Sequence, residues 1–470
     1  MNILFIHPGG HKKIYQDLSG EFTAIAPPTW AVLLGTYLQK LNYNVSIYDS
    51  NICGWDKGKI QNIISQYNPN YIIILAYGHH PSASTQIMPS VIEISHDLKE
   101  FNSSIKLVVG GLHPSVLPEL TLKETGADFV FTGVGNGAIE EILNSISEKG
   151  IYNTPRLPKF MDELYPDCSW DLLGDLSLYR AHNHHCFQYF EEDGDSMKSR
   201  KPYVTIYTSV GCPFNCSYCC IHGLFENRPG INYWNAETVI RWIDDLVVKH
   251  KVKNIRIDDE LFILDFKRVE KICDYIIERK YDLNIWAYGR VDVIDIPLLK
   301  KLKKAGFNWL CLGIESGDDD IRRIVNKKLN VDIKNIVKII QDNRIFVQGN
   351  FMFGLPEDTF ESMQTTYDLA VELNCESVNF YSMMKYPGSI YYKQEEKNNW
   401  SEYSQHSYDC TPLSGKYLSS KDILKFRDEK YDEYHKSERY LSMIKTKFGD
   451  KTVEHINEMV KIKLNRKLME

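Results

Sequence analysis

Residues 203–219 read Tyr203-Val204-Thr205-Ile206-Tyr207-Thr208-Ser209-Val210-Gly211-Cys212-Pro213-Phe214-Asn215-Cys216-Ser217-Tyr218-Cys219. The β-branched and aromatic run Tyr203–Tyr207 predicts a strand. Just beyond it stand three cysteines spaced C-x3-C-x2-C. Thiolates are the soft ligands an iron–sulfur cluster requires. A compact loop can wrap three of them round one 4Fe-4S cube and leave the fourth iron open. An open iron suits a cluster that activates a substrate, whereas an electron carrier normally closes all four positions. Zinc would want a fourth ligand, with His222 or Cys220 as candidates. The C-x3-C spacing and the position at the end of a strand favour the cube, with Cys212, Cys216 and Cys219 as its ligands.

Strand–helix alternation continues on both sides of this loop. Downstream, strands are predicted at Tyr203–Tyr207, Asn254–Ile257, Asn284–Ala287, Trp309–Gly313, Val347–Phe353 and Ser377–Tyr381, with helices between, one spanning about Ala236 to His250. Such βα units over residues 201–390 predict a partial (β/α)6 barrel with its chemistry at the carboxyl ends of the strands. Upstream, Ile3–Ile6, Asn44–Tyr48, Tyr71–Leu75, Lys106–Val109 and Phe129–Phe131 predict a parallel sheet with both faces covered. A helix over Trp30–Leu41 is among its covers. Residues 1–150 thus form a doubly wound, Rossmann-like domain in an α/β chain. Residues 151–200 read as a polar linker packing through Trp170, Leu172 and Leu173. Residues 391–470 read as a helical region burying Phe426, Tyr431, Tyr440, Leu441 and Ile444.

Three loops at one edge of the first sheet stand out. They run from Tyr77 to Thr85 (with His79, His80, Ser82 and Ser84), from Gly110-Gly111 through His113 to Ser115, and from Thr132 through Gly133 and Gly135 to Gly137. Glycine lets backbone approach a ligand closely, and Ser and Thr add hydrogen bonds. The same residues also make ordinary turns.

At 470 residues the chain is too long for one ordinary domain. A composition 43% hydrophobic and 25% charged is that of a globular protein with sizeable cores. The formal net charge of −7 offers no basic field, so neither nucleic acid nor membrane is an expected partner. No apolar run approaches the ~20 residues of a membrane span, and the start lacks a signal-peptide pattern, so the expected location is the cytoplasm. Eleven cysteines are then expected as buried thiols and one metal-binding cluster rather than disulfides. Cys220 is the best spare thiol for a redox or substrate-facing role. The plainer reading is a small buried hydrophobe.

Segment 203–390 resembles the radical SAM superfamily, whose signature is C-x3-C-x-aromatic-C, with Tyr218 in the aromatic place. The resemblance implies that the open iron binds the amino and carboxylate groups of S-adenosylmethionine (SAM). Reduction then gives methionine and a 5′-deoxyadenosyl radical, which takes a hydrogen atom from substrate. It also places further SAM contacts. These are Asp259 and Glu260 in Ile257-Asp258-Asp259-Glu260, Arg290 in Arg290-Val291-Asp292, and Glu315 and Ser316 in Gly313-Ile314-Glu315-Ser316-Gly317. Gly349 and Phe353, within Gly349 to Pro356, would lie near adenine. Tyr386-Pro387-Gly388-Ser389 matches a turn after the sixth strand.

With the domain ahead of it, nearly the whole chain resembles the cobalamin-binding radical SAM enzymes. That resemblance assigns Pro28, Asp49, His79, Ser82, Ser84, Thr85, Gly110, Gly111, His113, Gly133 and Gly135 to cobalamin. The chain departs from the pattern in several places. It has no D-x-H-x-x-G cobalt-ligating motif, and Gly133-Val134-Gly135-Asn136 replaces Gly-Glu-Gly-Glu. Val210 stands where Arg is frequent. The implied activity is methyl transfer by way of methylcobalamin to an unactivated carbon or phosphorus centre. The substrate is a small molecule or peptide, and the electron comes from a donor such as flavodoxin or ferredoxin. The alternatives are cyclisation, rearrangement or oxidation without methyl transfer, and a non-catalytic iron–sulfur or cobalamin module.

Overall fold

The computed structural model describes residues 1–470 apart from 79, 145–147, 195 and 395–397. The expected N-terminal strands form as β1 (Asn2–His7), β2 (Asn44–Asp49), β3 (Tyr71–Ala76), β4 (Lys106–Gly111) and β5 (Phe129–Thr132). The sheet is wholly parallel and ordered β2-β1-β3-β4-β5, with β6 (Gly150–Asn153) added at its far edge. All six residues of β3 are buried, as a central parallel strand covered on both faces requires. Helices Thr29–Lys40 and Met88–Phe101 are among those covers. Strand order reverses between β1 and β3, which opens a crevice beyond their carboxyl ends.

Strand β6 lies in the stretch read as linker. The rest of that stretch is tightly held. Trp170 has no exposed surface. Arg200, also wholly buried, donates to the carbonyls of Ala181 (2.7 Å) and Thr23 (2.8 Å).

All six expected downstream strands form one parallel sheet: β7 (Tyr203–Ile206), β10 (Asn254–Ile257), β11 (Asn284–Gly289), β12 (Phe307–Glu315), β13 (Phe346–Phe353) and β14 (Ser377–Ser382). Between β7 and β10 lies an antiparallel hairpin that the sequence did not suggest, β8 (Ser209–Cys212) with β9 (Gly230–Tyr233). The expected helix near 236–250 spans Ala236–Val248.

The sheet curls into a partial barrel whose edges, β7 and β14, are not paired to each other. The arm at residues 11–23 and the C-terminal region cover that open side. Gln405 exchanges hydrogen bonds with both backbone groups of Ser382 at the end of β14 (3.0 and 2.8 Å). Gln16 of the arm donates to the His406 carbonyl (2.6 Å). Helices Ser420–Lys436, Glu438–Phe448 and Asp450–Lys461 follow. Arg427 donates to the Phe380 carbonyl (2.8 Å) and Tyr434 to that of Cys375 (3.2 Å), fixing the first of these helices along β14. Tyr440 and Ile444 are buried as expected, while Phe426, Tyr431 and Leu441 are partly so.

The carboxyl ends of the two sheets face each other. Thr29 donates to the Thr205 carbonyl (2.8 Å), Tyr207 to that of Gly78 (3.2 Å), and Gln86 to the Tyr386 hydroxyl (3.0 Å). Among the described residues, no helix is long and apolar enough to cross a membrane.

Candidate active site

Cys212 ends β8, and the loop behind it carries Cys216 and Cys219. All three thiols are free and partly exposed. Gly211 takes φ 96°, and a Cβ there would stand 2.5 Å from the Gly230 carbonyl, so the hairpin needs glycine at this point. The loop is tied down from several sides. Ser217 N donates to the Val325 carbonyl (3.0 Å), Asn326 to that of Asn215 (2.7 Å), and Ile390 N to that of Ser217 (3.2 Å). Arg290 stacks on Phe214 (4.1 Å) and directs Nη1 at the Cys216 sulfur (3.8 Å). A cation beside a thiolate stabilises its charge, which fits a cluster ligand. His222 turns its Nε2 to the Cys212 carbonyl (2.9 Å), away from the role of fourth zinc ligand. Among the described residues, no three His, Cys, Asp or Glu side chains converge on one ion. Three thiols on one short loop, with Arg290 beside Cys216, are a donor set that would suit a 4Fe-4S cube. Cys220 is buried, and its thiol is pushed up to about 12 by that burial, which suits the plainer reading of a packed hydrophobe.

Beside the loop the barrel encloses a cavity of about 340 Å³. Tyr218, Cys219 and Glu315 line its cluster end. Glu315 sits in the left-handed region (φ 69°), buried, with Lys327 Nζ 2.7 Å from its carboxylate. A strained, buried, cavity-facing carboxylate suits a cationic ligand group. A Glu315→Gln variant is expected to bind SAM about tenfold more weakly in equilibrium dialysis while keeping its iron, the loss of one charged hydrogen bond.

Several expected SAM contacts are placed elsewhere. Asp259 is wholly buried and accepts from Thr208 N (2.5 Å), Thr208 Oγ1 (2.5 Å) and Ser209 Oγ (2.7 Å), with Arg268 3.7 Å away. It holds the β7–β8 turn and does not face the cavity. Glu260 accepts from Gly211 N (2.8 Å), and burial pushes its carboxyl up to about 8. Ser316 is bonded to Thr366 (3.1 Å) in the interior. Gly349 and Phe353 lie on the outer face of β13. A Cβ on Gly349 would come 2.8 Å from the Phe351 ring, and Phe353 stacks on Phe380 at 5.3 Å. Strand residues alternate between faces, so Gln348, Asn350 and Met352 are the ones that line the cavity. Arg290 braces the cluster loop and also donates to the Lys328 carbonyl (2.7 Å).

At the edge of the first sheet, most residues assigned to cobalamin are engaged by the protein itself. Ser84 accepts from His113 N (2.9 Å), and Thr85 meets His113 Nδ1 (3.1 Å). His113 has no exposed surface and packs edge-on against Trp400 at 4.4 Å, and burial lowers its pKa to about 3. Asp49 caps the following turn by accepting from Asn51 N (2.9 Å). Gly133 N donates to Ser115 (2.9 Å) and Gly135 N to Thr154 (2.9 Å). At Gly111 a Cβ would meet the Ala76 carbonyl at 2.3 Å, so this glycine serves the close approach of β3 and β4. The Phe131 ring fills the space over Gly110, where a Cβ would lie 1.9 Å from it. Gly110→Ala is expected to cost about 1–3 kcal/mol through overpacking, read from the denaturant midpoint, with Phe131→Leu relieving it. His79 lies outside the described residues.

Of the assigned set, Pro28 lines a crevice of about 80 Å³ over the β1/β3 switch point, and Ser82 lines the barrel cavity. The crevice is bordered by the loop after β1, through His7, Gly9 and His11, and from the barrel side by Thr205, Tyr207 and Asp258. Sequence reasoning missed that loop, although His7-Pro8-Gly9-Gly10-His11 directly follows a strand. Tyr15 and Gln86 border both the crevice and the barrel cavity. The slot between sheet edge and barrel mouth is glycine-edged and largely apolar, and Gly9, Pro28 and Gly78 on its rim would be among the residues to hold cobalamin.

Comparison with known proteins agrees. A family model described as the radical SAM superfamily matches residues 206–370, and one described as the B12 binding domain matches residues 15–143. The chain thus carries a radical SAM domain in its barrel and a B12 binding domain ahead of it. It is a cobalamin-binding radical SAM enzyme whose cofactors are a 4Fe-4S cluster, SAM and cobalamin.

Among its relatives, an uncharacterized methyltransferase of Pyrococcus horikoshii is 26% identical over 432 residues, covering 86% of each chain. The anaerobic magnesium-protoporphyrin IX monomethyl ester cyclase of Rubrivivax gelatinosus is 24% identical over 426 residues, 84% of this chain and 70% of its own. Among solved structures, the radical SAM methyltransferase TsrM of Kitasatospora setae, with cobalamin and a 4Fe-4S cluster bound, aligns at TM-score 0.61 and 16% identity. That alignment covers 82% of this chain and 76% of the other, a likeness of fold.

Proposed function

We propose that this chain is a cobalamin-dependent radical SAM methyltransferase, acting on an unactivated carbon or phosphorus centre of a small molecule or peptide. The observation that carries the reading is the wall shared by Tyr15 and Gln86. The cavity on one side of it is also lined by Tyr218, Cys219 and Glu315, and the crevice on the other side opens at the edge of the first sheet. When bound, the cluster supplies the electron that splits SAM, and cobalamin supplies the methyl group.

Cys212, Cys216 and Cys219 would hold the cluster, with Arg290 steadying Cys216. Tyr218 and Glu315 would orient SAM. Pro28 and the His7–His11 loop would seat the corrin. The arm and the C-terminal region close the barrel's open side, so that water is kept from the reacting atoms. Flavodoxin or ferredoxin would bring the electron.

The Pyrococcus relative and TsrM are both named as methyltransferases, which supports methyl transfer. The cyclase relatives favour a second reading, SAM cleavage without methyl transfer. Mass spectrometry of products from reduced, cobalamin-loaded enzyme separates the two. Methyl transfer yields S-adenosylhomocysteine together with 5′-deoxyadenosine. The nucleoside alone would remove the first reading.

A further inference from the structure

Two buried guanidiniums, Arg427 and Arg466, share the single carboxylate of Asp428. Arg466 takes most of it. Its Nε donates to Oδ2 (2.9 Å) and its Nη2 to Oδ1 (3.1 Å), while Nη1 goes to the Gln405 and Ser407 carbonyls (3.0 and 3.1 Å). Arg427 reaches the same Oδ1 with Nη1 (2.5 Å) and gives Nε to the Phe380 carbonyl (2.8 Å). Its Nη2 has no hydrogen-bond partner among the described residues. Two positive charges thus face one negative charge, and Arg427 is the member of the pair that lines the barrel cavity.

No other described residue of the cavity wall offsets that surplus. The remaining ionised side chains there are Arg256 and Glu315. Glu315 is paired with Lys327 at 2.7 Å. Arg256 lies 2.7 Å from Asp258, whose carboxyl burial pushes up to about 7, so near neutral pH this pair also leans positive. His406 lines the same cavity, and its ring has no hydrogen-bond partner among the described residues. Burial first, and then the charges of Arg427 and Arg466, hold it well below the ordinary imidazole range. A neutral imidazole can turn an N–H toward a ligand.

A buried cation short of counter-charge is costly, and a charge-assisted hydrogen bond to an anion relieves that cost. The surplus beside Asp428 is one charge, which a carboxylate matches. A phosphate monoester brings nearly two and would leave part of its own charge unmatched. A neutral group would leave the guanidinium as it is.

We propose that the substrate of this site carries a free carboxylate, held by Arg427 Nη2 and the His406 ring while the rest of the molecule occupies the barrel cavity. The proposal rests on the reading of this cavity as the substrate chamber, and it narrows the substrate from any small molecule or peptide to one with that group.

The test uses full-length protein carrying its cluster, cobalamin and SAM and left unreduced. No turnover then occurs, and SAM keeps the probes from the open iron. Three ligands of one shape are titrated calorimetrically: 2-naphthoate, 2-naphthamide and 2-naphthyl phosphate. The naphthoate is expected to bind saturably and at least about tenfold more tightly than the amide or the phosphate. Arg427→Gln should weaken the naphthoate about thirtyfold and leave the amide within about threefold. Arg427 also holds the Phe380 carbonyl, so His406→Phe serves if that variant does not fold, with about a fivefold loss for the naphthoate alone. Naphthoate bound no more tightly than the amide, phosphate bound more tightly than naphthoate, no saturable binding of any of the three, or a ranking unchanged in the folded variants would overturn the proposal. A product analysis without methyl transfer, with the naphthoate ranking intact, would instead count against the reaction and leave the substrate class standing.

Discussion

A Cys216→Ala variant reconstituted without oxygen will fold and bind no cluster, and its 5′-deoxyadenosine yield will fall to background. The parent should hold about four irons per chain. Cys216 is partly exposed and fills no core space, so its removal leaves the barrel intact, as circular dichroism would record. Its sulfur is the one approached by Arg290, so the loss is of a ligand and not of packing. Cys220→Ala is the contrasting case. That thiol is buried beside the Gly388 turn, where a Cβ on Gly388 would lie 3.4 Å from the Cys220 Cβ, and the variant should keep its iron. Iron retained at the parental level in Cys216→Ala would break the ligand assignment.

Asp259→Ala will destabilise the whole chain by about 3–5 kcal/mol, the usual cost of breaking a buried charge network from one side. The carboxylate binds Thr208 and Ser209 and faces Arg268, which is itself buried. Removing it leaves a guanidinium without its counter-charge and frees the turn that carries β8 toward Cys212. Asp259→Asn keeps much of the hydrogen bonding and should cost less. Urea unfolding of the three proteins measures the difference. Family resemblance alone would place this residue on the SAM amino group. Weakened SAM binding at unchanged stability would favour that view over the structural one.

The cluster loop is conspicuous because it is local: the three proposed ligands, Cys212, Cys216 and Cys219, fall within eight residues. The strands were legible for a similar reason. Runs such as Tyr71-Ile72-Ile73-Ile74-Leu75, between helical segments, suit a parallel strand covered on both faces. What escaped was short, polar or non-local. The β8–β9 hairpin pairs Ser209-Val210-Gly211-Cys212 with Gly230-Ile231-Asn232-Tyr233, too brief and too mixed to show a period. On β13 the conspicuous glycine drew attention to the outward face, when the alternation through Gln348, Asn350 and Met352 marked the inward one. At the first sheet, glycines needed for packing, such as Gly110 under Phe131, read the same as glycines needed for a ligand. The loop His7 to His11 carries no motif that sets it apart from an ordinary turn after a strand. The substrate chamber had no signature at all, since its walls come from distant parts of the chain.

That distance has a consequence for how the enzyme is made. Gln16 is bonded to the His406 and Asn465 carbonyls, partners 390 and 449 residues further along, and Asn465 N returns a bond to the Gln16 side chain. On the ribosome, the doubly wound domain and the barrel can each emerge and condense while that side of the chamber still stands open to water. The seal forms only after the helices beyond the barrel have been translated. A nascent chain that already carried its iron would therefore still be unable to shelter a radical, and the hazardous chemistry is withheld until those helices have docked.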